Sequence, residues 1–177
     1  MAKTEIRFSG TGGQGLLLSA KILAATLTSQ GRHVAQSQAY EPVSRGGLSR
    51  ADLVISDNEG GFPLSSHLDY LLILDAAAAN ASFGLLDDRS TVLVDSALVP
   101  EPPKGAFRLF ALPFTETAIR LGNRRVANIV ALGALASISG ICPVEALKDI
   151  VKAKTPAKYN DLNMEALVAG QAMMAEA

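Results

Sequence analysis

A strand candidate at Glu5-Ile6-Arg7-Phe8 runs into Gly10-Thr11-Gly12-Gly13-Gln14-Gly15, and a helical pattern starts directly after it at Leu16. Gly10, Gly12 and Gly15 match G-x-G-x-x-G, a spacing that lets a strand turn tightly into a helix that packs back on the sheet. Leu17, Ala20, Lys21, Ala24 and Leu27 recur at helical spacing, and Gly31 suits a C-cap after Ser29. A chain that opens in this way is committed to strand–helix–strand alternation.

The rest of the pattern follows that commitment. Strands are expected at Arg32 to Gln38, Leu48 to Ser56, Tyr70 to Leu74, Thr91 to Val94 and Phe107 to Leu112, with a helix beginning in the Ala76–Ala79 run. Tyr40 to Gly47, holding Pro42 and Gly46-Gly47, reads as a loop. After Pro113 the pattern becomes consecutive helices. Thr115 suits the cap of a short one ending near Gly122, and Val126 to Ser139 is a long small-residue one. Pro143 suits the first turn of a third, and Asn160 or Asp161 the start of a fourth. The expected fold is α/β in three layers, with a mostly parallel sheet, a Rossmann-like glycine-rich first turn and a helical C-terminal portion. We expect one domain over 1–177, its α/β part about 1–112 and its helical part about 113–177.

Composition narrows the function classes. With 177 residues, 49% of them hydrophobic, a core can form without staples. Sixteen Lys and Arg against 17 Asp and Glu leave no basic footprint for nucleic acid. No apolar run reaches the roughly 18 residues of a membrane span, and MAKTEIRFSG holds no signal-peptide core, so a cytoplasmic location is expected. Cys142 is the one cysteine, with His33 and His67 the histidines, too few for a disulfide, an iron–sulfur cluster or a cysteine-rich zinc site.

Two loops carry the chemical signal. The first, with Gly10, Gly12, Gly13, Gln14 and Gly15, offers backbone N–H groups at a helix start, where a pyrophosphate binds in dinucleotide sites. Those sites also need an acid ending the second strand, but Ala35-Gln36-Ser37-Gln38 has none and Glu41 lies beyond it. Gly13 and Gln14 make this loop more open than a strand–helix turn requires. A packing turn, or a phosphate or subunit contact other than a dinucleotide, are the other readings. The second loop holds Tyr40, Arg45, Gly46 and Gly47 and leaves the same sheet edge if its strand is parallel to the first. Arg45 beside exposed backbone donors suits carboxylate or phosphate, and Tyr40 suits an interface. The alternative is a surface loop in which Arg45 pairs with Glu41 or Asp52.

Elsewhere, His67 near Asp69 has the form of an acid–base pair but sits where a loop enters a strand. Ser9 and Ser19 lack a partnered histidine. Asp75 and Asp95 end strands and suit caps or turns. Arg124-Arg125 at a helix start suits solvent, salt bridges or phosphate. The small-residue helix from Val126 to Ser139 is either a partner dock or packed within its own fold.

Taken together, Gly-Gly-Gln-Gly and Tyr-x-Pro-x-x-Arg-Gly-Gly some thirty residues later resemble the gamma subunit, or gamma domain, of 2-oxoacid:ferredoxin oxidoreductases. The likeness continues through Ile55-Ser56-Asp57, Phe62-Pro63, Asp69 to Asp75, Val92 to Ser96, Asn128 and Leu132-Gly133-Ala134. Glu41 stands where the family often has glycine. The resemblance implies a complex that decarboxylates a 2-oxoacid on thiamine diphosphate and magnesium and passes electrons through iron–sulfur clusters to ferredoxin. It releases an acyl-CoA. This chain has no Gly-Asp-Gly with a distant Asn and no cysteine set, so as a family member it is an accessory subunit that binds none of these groups itself. The implied partners are thiamine-binding alpha and beta subunits and a ferredoxin-like subunit. Gln-Ala-Tyr before the second loop and the short length favour 2-oxoglutarate, with pyruvate or a branched-chain 2-oxoacid next. Both loops are then expected to face a partner subunit and either shape the CoA entrance or order the neighbouring active site. A stand-alone nucleotide-binding domain and a purely structural scaffold subunit are the alternatives.

Overall fold

The computed structural model describes residues 3–41, 47–57 and 65–175. Six strands form one sheet: β1 Thr4–Thr11, β2 His33–Tyr40, β3 Leu48–Ser56, β4 Tyr70–Ile73, β5 Thr91–Asp95 and β6 Arg108–Leu112, in the order β2-β3-β1-β4-β5-β6. The helices are α1 Leu16–Ser29, α2 Phe114–Arg120, α3 Ala127–Ser139, α4 Val144–Lys154 and α5 Asn160–Met173. β1, β4, β5 and β6 pair in parallel, whereas β3 runs antiparallel to both β1 and β2. β2 therefore points the same way as β1, and β3 is the one reversed strand.

Side-chain alternation explains the two faces. Ile6 and Phe8 of β1, Leu53 and Ile55 of β3, Leu72 and Leu93 share a core with residues of all five α-helices. On the other face Leu71, Ile73, Val92 and Val94 pack with Leu68, Ala78, Ala79, Val99 and Phe107, which belong to loops and turns. The sheet thus lies between a thick helical layer and a thin layer without α-helix among the described residues. The helix expected from Ala76 is a single 3-10 turn, Ala76–Ala78. Asn80, Ser82 and Gly84 follow the alanines too closely for a helix to propagate.

The thin face also buries charge. Arg7 and Asp52 are cross-strand neighbours in the β1–β3 register and 3% exposed each at the side chain. The Arg7 Nε and Nη2 groups donate to the Asp52 carboxylate at 2.7 Å each, and Nη1 donates to Ser82 Oγ at 3.0 Å.

Beyond β6 the chain covers its own small-residue helix. Asn128 through Ala136 of α3 are all buried, as an apolar helix enclosed on every side must be. The helix from Val126 is packed internally, with α1, α4, α5 and β4 as neighbours, so this stretch is not a free dock. Gly133 and Gly170 permit the α3–α5 approach. A methyl at Gly133 would overlap the Leu167 carbonyl oxygen, and one at Gly170 the Val130 carbonyl oxygen. α2 starts at Phe114, so Thr115 lies inside its first turn and does not cap it. The cap comes from β5 instead: Asp95 Oδ2 accepts the Thr115 N–H at 2.9 Å.

Candidate functional site

The C-terminal ends of β1, β4 and β5 open into a cavity of about 570 Å³, which is where ligands enter open α/β sheets. Thr11, Gly12, Gly13 and Gln14 form one wall, Leu74, Asp75 and Asp95 the floor, and Asn123, Arg124, Arg125 and Asn128 the wall opposite.

The glycine loop is closed from within by Gln14, contrary to the open loop expected from its sequence. Gln14 Oε1 accepts the Thr11 N–H at 2.8 Å, and Nε2 donates to the Leu74 carbonyl at 2.8 Å. The side chain therefore ties the end of β1 to the end of β4. Gly10 makes room for it, since a Cβ there would overlap Gln14 Oε1. Gly15 is the N-cap of α1 with φ 74°, a left-handed conformation that glycine adopts without penalty. The Asn128 carboxamide presses on the same residue: Nδ2 donates to the Gly15 carbonyl and to Ser19 Oγ at 3.2 Å each. Ser19 Oγ donates back to the Asn128 carbonyl at 3.3 Å, which fastens the starts of α1 and α3 together.

The two sequence loops meet. Because β2 and β1 run the same way, both loops leave the same sheet edge, and the Gly12 N–H donates to the Gly47 carbonyl at 3.3 Å. Arg45 and Gly46 lie outside the described residues. Tyr40 belongs to the end of β2 rather than to the loop, and it is 72% exposed. Glu41, the nearest acid for a ribose, accepts the Leu48 N–H at 3.2 Å and closes the hairpin. Asp52 is committed to Arg7, which removes it as a partner for Arg45.

The cavity floor holds structural carboxylates. Asp75 Oδ1 accepts the Ala77 N–H at 3.0 Å and Oδ2 accepts from Thr11 Oγ1 at 3.3 Å. Asp95 Oδ1 accepts from Ala97 N and Oδ2 from Thr115 N and Oγ1. Arg124 and Arg125 are exposed at the cavity rim, with no ion-pair partner among the described residues. His67 sits at the other end of β4, 3.7 Å from Asp69 and 3.6 Å from Asp87, and does not reach the cavity. Cys142 is buried in the helical core, and burial pushes its thiol up to about 11, which removes it as a nucleophile at neutral pH. Among the described residues the cavity thus offers backbone donors, two guanidinium groups and two hydroxyl–carboxylate contacts whose carboxylates also hold backbone N–H groups.

The Gln14 brace and the Asn128 latch were not read from the sequence. Gln14 and Asn128 both stand in the motifs that carry the family resemblance, but nothing in the sequence shows what either bonds to.

Comparison with known proteins places this architecture. The family model for pyruvate ferredoxin/flavodoxin oxidoreductase matches residues 5–173. The chain belongs to that oxidoreductase family. It is 39% identical over 159 residues to 2-oxoglutarate synthase subunit KorC of Archaeoglobus fulgidus, covering 89% of this chain and 82% of that one. KorC of Methanothermobacter thermautotrophicus is 35% identical, covering 98% and 96%. The crystal structure of a keto/oxoacid ferredoxin oxidoreductase gamma subunit from Geobacter sulfurreducens superposes with a TM-score of 0.87 at 36% identity, covering 98% of this chain and 99% of that one. Relatives named ketoisovalerate oxidoreductase subunit VorA and pyruvate synthase subunit PorC match at 29–31% identity. This oxidoreductase-family chain is accordingly a gamma-type subunit. Among its described residues no helix is long and apolar enough to cross a membrane.

Proposed function

We propose that this gamma subunit serves a 2-oxoglutarate:ferredoxin oxidoreductase complex in the cytoplasm. The observation that carries the substrate choice is the gradient of similarity, 39% to a 2-oxoglutarate synthase subunit against 29–31% to subunits named for pyruvate and ketoisovalerate. The complex converts its 2-oxoacid and CoA to an acyl-CoA and passes the electrons to ferredoxin. Thiamine diphosphate, magnesium and iron–sulfur clusters are assigned to partner chains: thiamine-binding alpha and beta subunits and a ferredoxin-like subunit.

The residues of this chain do not fit those groups. A single cysteine cannot ligate a cluster. Among the described residues no group of three His, Cys, Asp or Glu side chains could hold a metal ion, and the cavity carboxylates Asp75 and Asp95 are engaged by N–H and O–H donors. In this reading the subunit's contribution is positional. We read the whole chain as one gamma-type domain, since one helical core draws residues from both the sheet and α2 to α5.

In this reading Gly12, Gly13, Gln14 and Gly15, with Tyr40, Arg45, Gly46 and Gly47, face a neighbouring subunit and shape the CoA entrance or order its active site, while Gly10, buried against Gln14, supports the loop from within. The Gly12–Gly47 hydrogen bond, which couples the two loops, supports treating them as one surface. Arg45→Ala in the reconstituted complex tests it. The expected result is weaker assembly or a raised KM for CoA. If assembly and KM both stay at the wild-type value, the assignment of these loops is wrong. Relative kcat/KM across a panel of 2-oxoacids tests the substrate choice.

A further inference from the structure

Ser9 is 3% exposed, yet its hydroxyl has no hydrogen-bond partner among the described residues. It stands on the thin face of the sheet, directly opposite Arg50 in the β1–β3 register, with Ala39 of β2 on the other side of Arg50. This cross-strand row lines a recess of about 240 Å³, with Ser82 beside it and Tyr40 and Glu41 also in its lining. The recess shares no lining residue with the glycine-loop cavity.

Its side chains include several O–H and N–H donors. Ser82 Oγ accepts from Arg7 Nη1 at 3.0 Å, so its own O–H remains to donate. Arg50 is exposed and has no ion-pair partner among the described residues. The next row of the sheet does not compensate its charge, because Asp52 there is matched by Arg7. Among its described lining residues Glu41 is the one carboxylate, and its Oε2 accepts the Leu48 N–H at 3.2 Å.

We propose that this recess binds a carboxylate, with Arg50 as the guanidinium fork and the Ser9 and Ser82 hydroxyls as additional donors. A guanidinium matches the two oxygens of a carboxylate. The volume is below the roughly 300–1,000 Å³ of typical cofactor pockets, so the group rides on a short carbon body, which Ala39 would meet. A free short-chain acid and an acidic side chain of a neighbouring subunit share this chemistry.

The test is a titration of the isolated chain with sodium propionate, followed by amide chemical shifts at constant ionic strength against sodium chloride. Saturable shifts are expected at Ser9, Arg50 and Ser82. Arg50→Ala should weaken half-saturation at least tenfold, Ser9→Ala by a smaller factor, and Arg50→Lys should lie between wild type and Arg50→Ala. Shifts equal to those in chloride, or an Arg50→Ala variant that titrates like wild type, would overturn the proposal. A second arm identifies the source. If propionate no longer binds the assembled complex and Arg50→Glu weakens assembly tenfold or more, the carboxylate belongs to a partner. If propionate binding survives assembly, the site takes a free acid. Whether the tagged chain captures thiamine-dependent partners is scored separately, so failure of the complex reading leaves the isolated-chain result standing.

Discussion

Gln14→Glu changes one atom of the glycine loop from a donor to an acceptor and leaves its shape intact. The retained oxygen can still accept the Thr11 N–H, now 2.8 Å from Oε1. The other atom, which donates to the Leu74 carbonyl at 2.8 Å, becomes an oxygen facing an oxygen. Losing the hydrogen bond costs about 1 kcal/mol, and leaving a partly buried carbonyl against a like-charged atom adds roughly 1–2 kcal/mol. Gln14 is half-buried, so water offsets part of this, and the net loss expected is about 1–3 kcal/mol. For a domain of this size each kcal/mol lowers Tm by ~2–4 °C. Thermal unfolding followed by circular dichroism at pH 7.5 should therefore show a fall of several degrees. At acid pH the introduced carboxyl gains a proton and can donate to Leu74 again, so its deficit against wild type should shrink. Gln14→Ala removes both bonds, and its deficit should not depend on pH. A Gln14→Glu variant as stable as wild type at pH 7.5, or a deficit unchanged by acid, would show that the side chain does not brace β1 to β4.

Gly170→Ala should destabilise despite the ~1 kcal/mol gain in helix propensity, because its methyl meets the Val130 carbonyl and Ala134 N; a net loss of about 1–2 kcal/mol is expected in urea unfolding. Arg7→Ala leaves Asp52 buried without its cation and should cost about 3–5 kcal/mol, while replacing both residues by apolar ones should recover most of that in the same assay. Glu5 is penalised by burial, but the Lys3 ammonium and the Ser66 and His67 backbone N–H groups outweigh this and hold its carboxyl below the ordinary 4.5. Its contribution is therefore complete above pH about 4.5 and is lost as pH falls through the lower folded value; Glu5→Gln should flatten acid unfolding in that window. Cys142 should resist iodoacetamide at pH 8 in the native chain and react once urea unfolds it, with labelling read by intact mass.

What the sequence determined by itself was local. Periodicity placed α1, α3 and the buried strands, because 3.6-residue and two-residue repeats follow from short-range geometry. The glycine spacing located the mouth of the cavity, and the paired loop motifs pointed to the family that the comparisons then showed. Tertiary structure decided what depends on residues far apart in the chain. The reversal of β3, which sends β1 and β2 the same way, is invisible to a strand pattern that reads identically in both directions. Gln14 reads as a polar loop residue until Leu74, sixty positions on, supplies its acceptor. Likewise nothing around Arg7 in the sequence points to Asp52 until the β1–β3 register sets the two side by side. Ser9 and Arg50, forty-one positions apart, become one polar row by that same register, since pairing decides which side chains share a face.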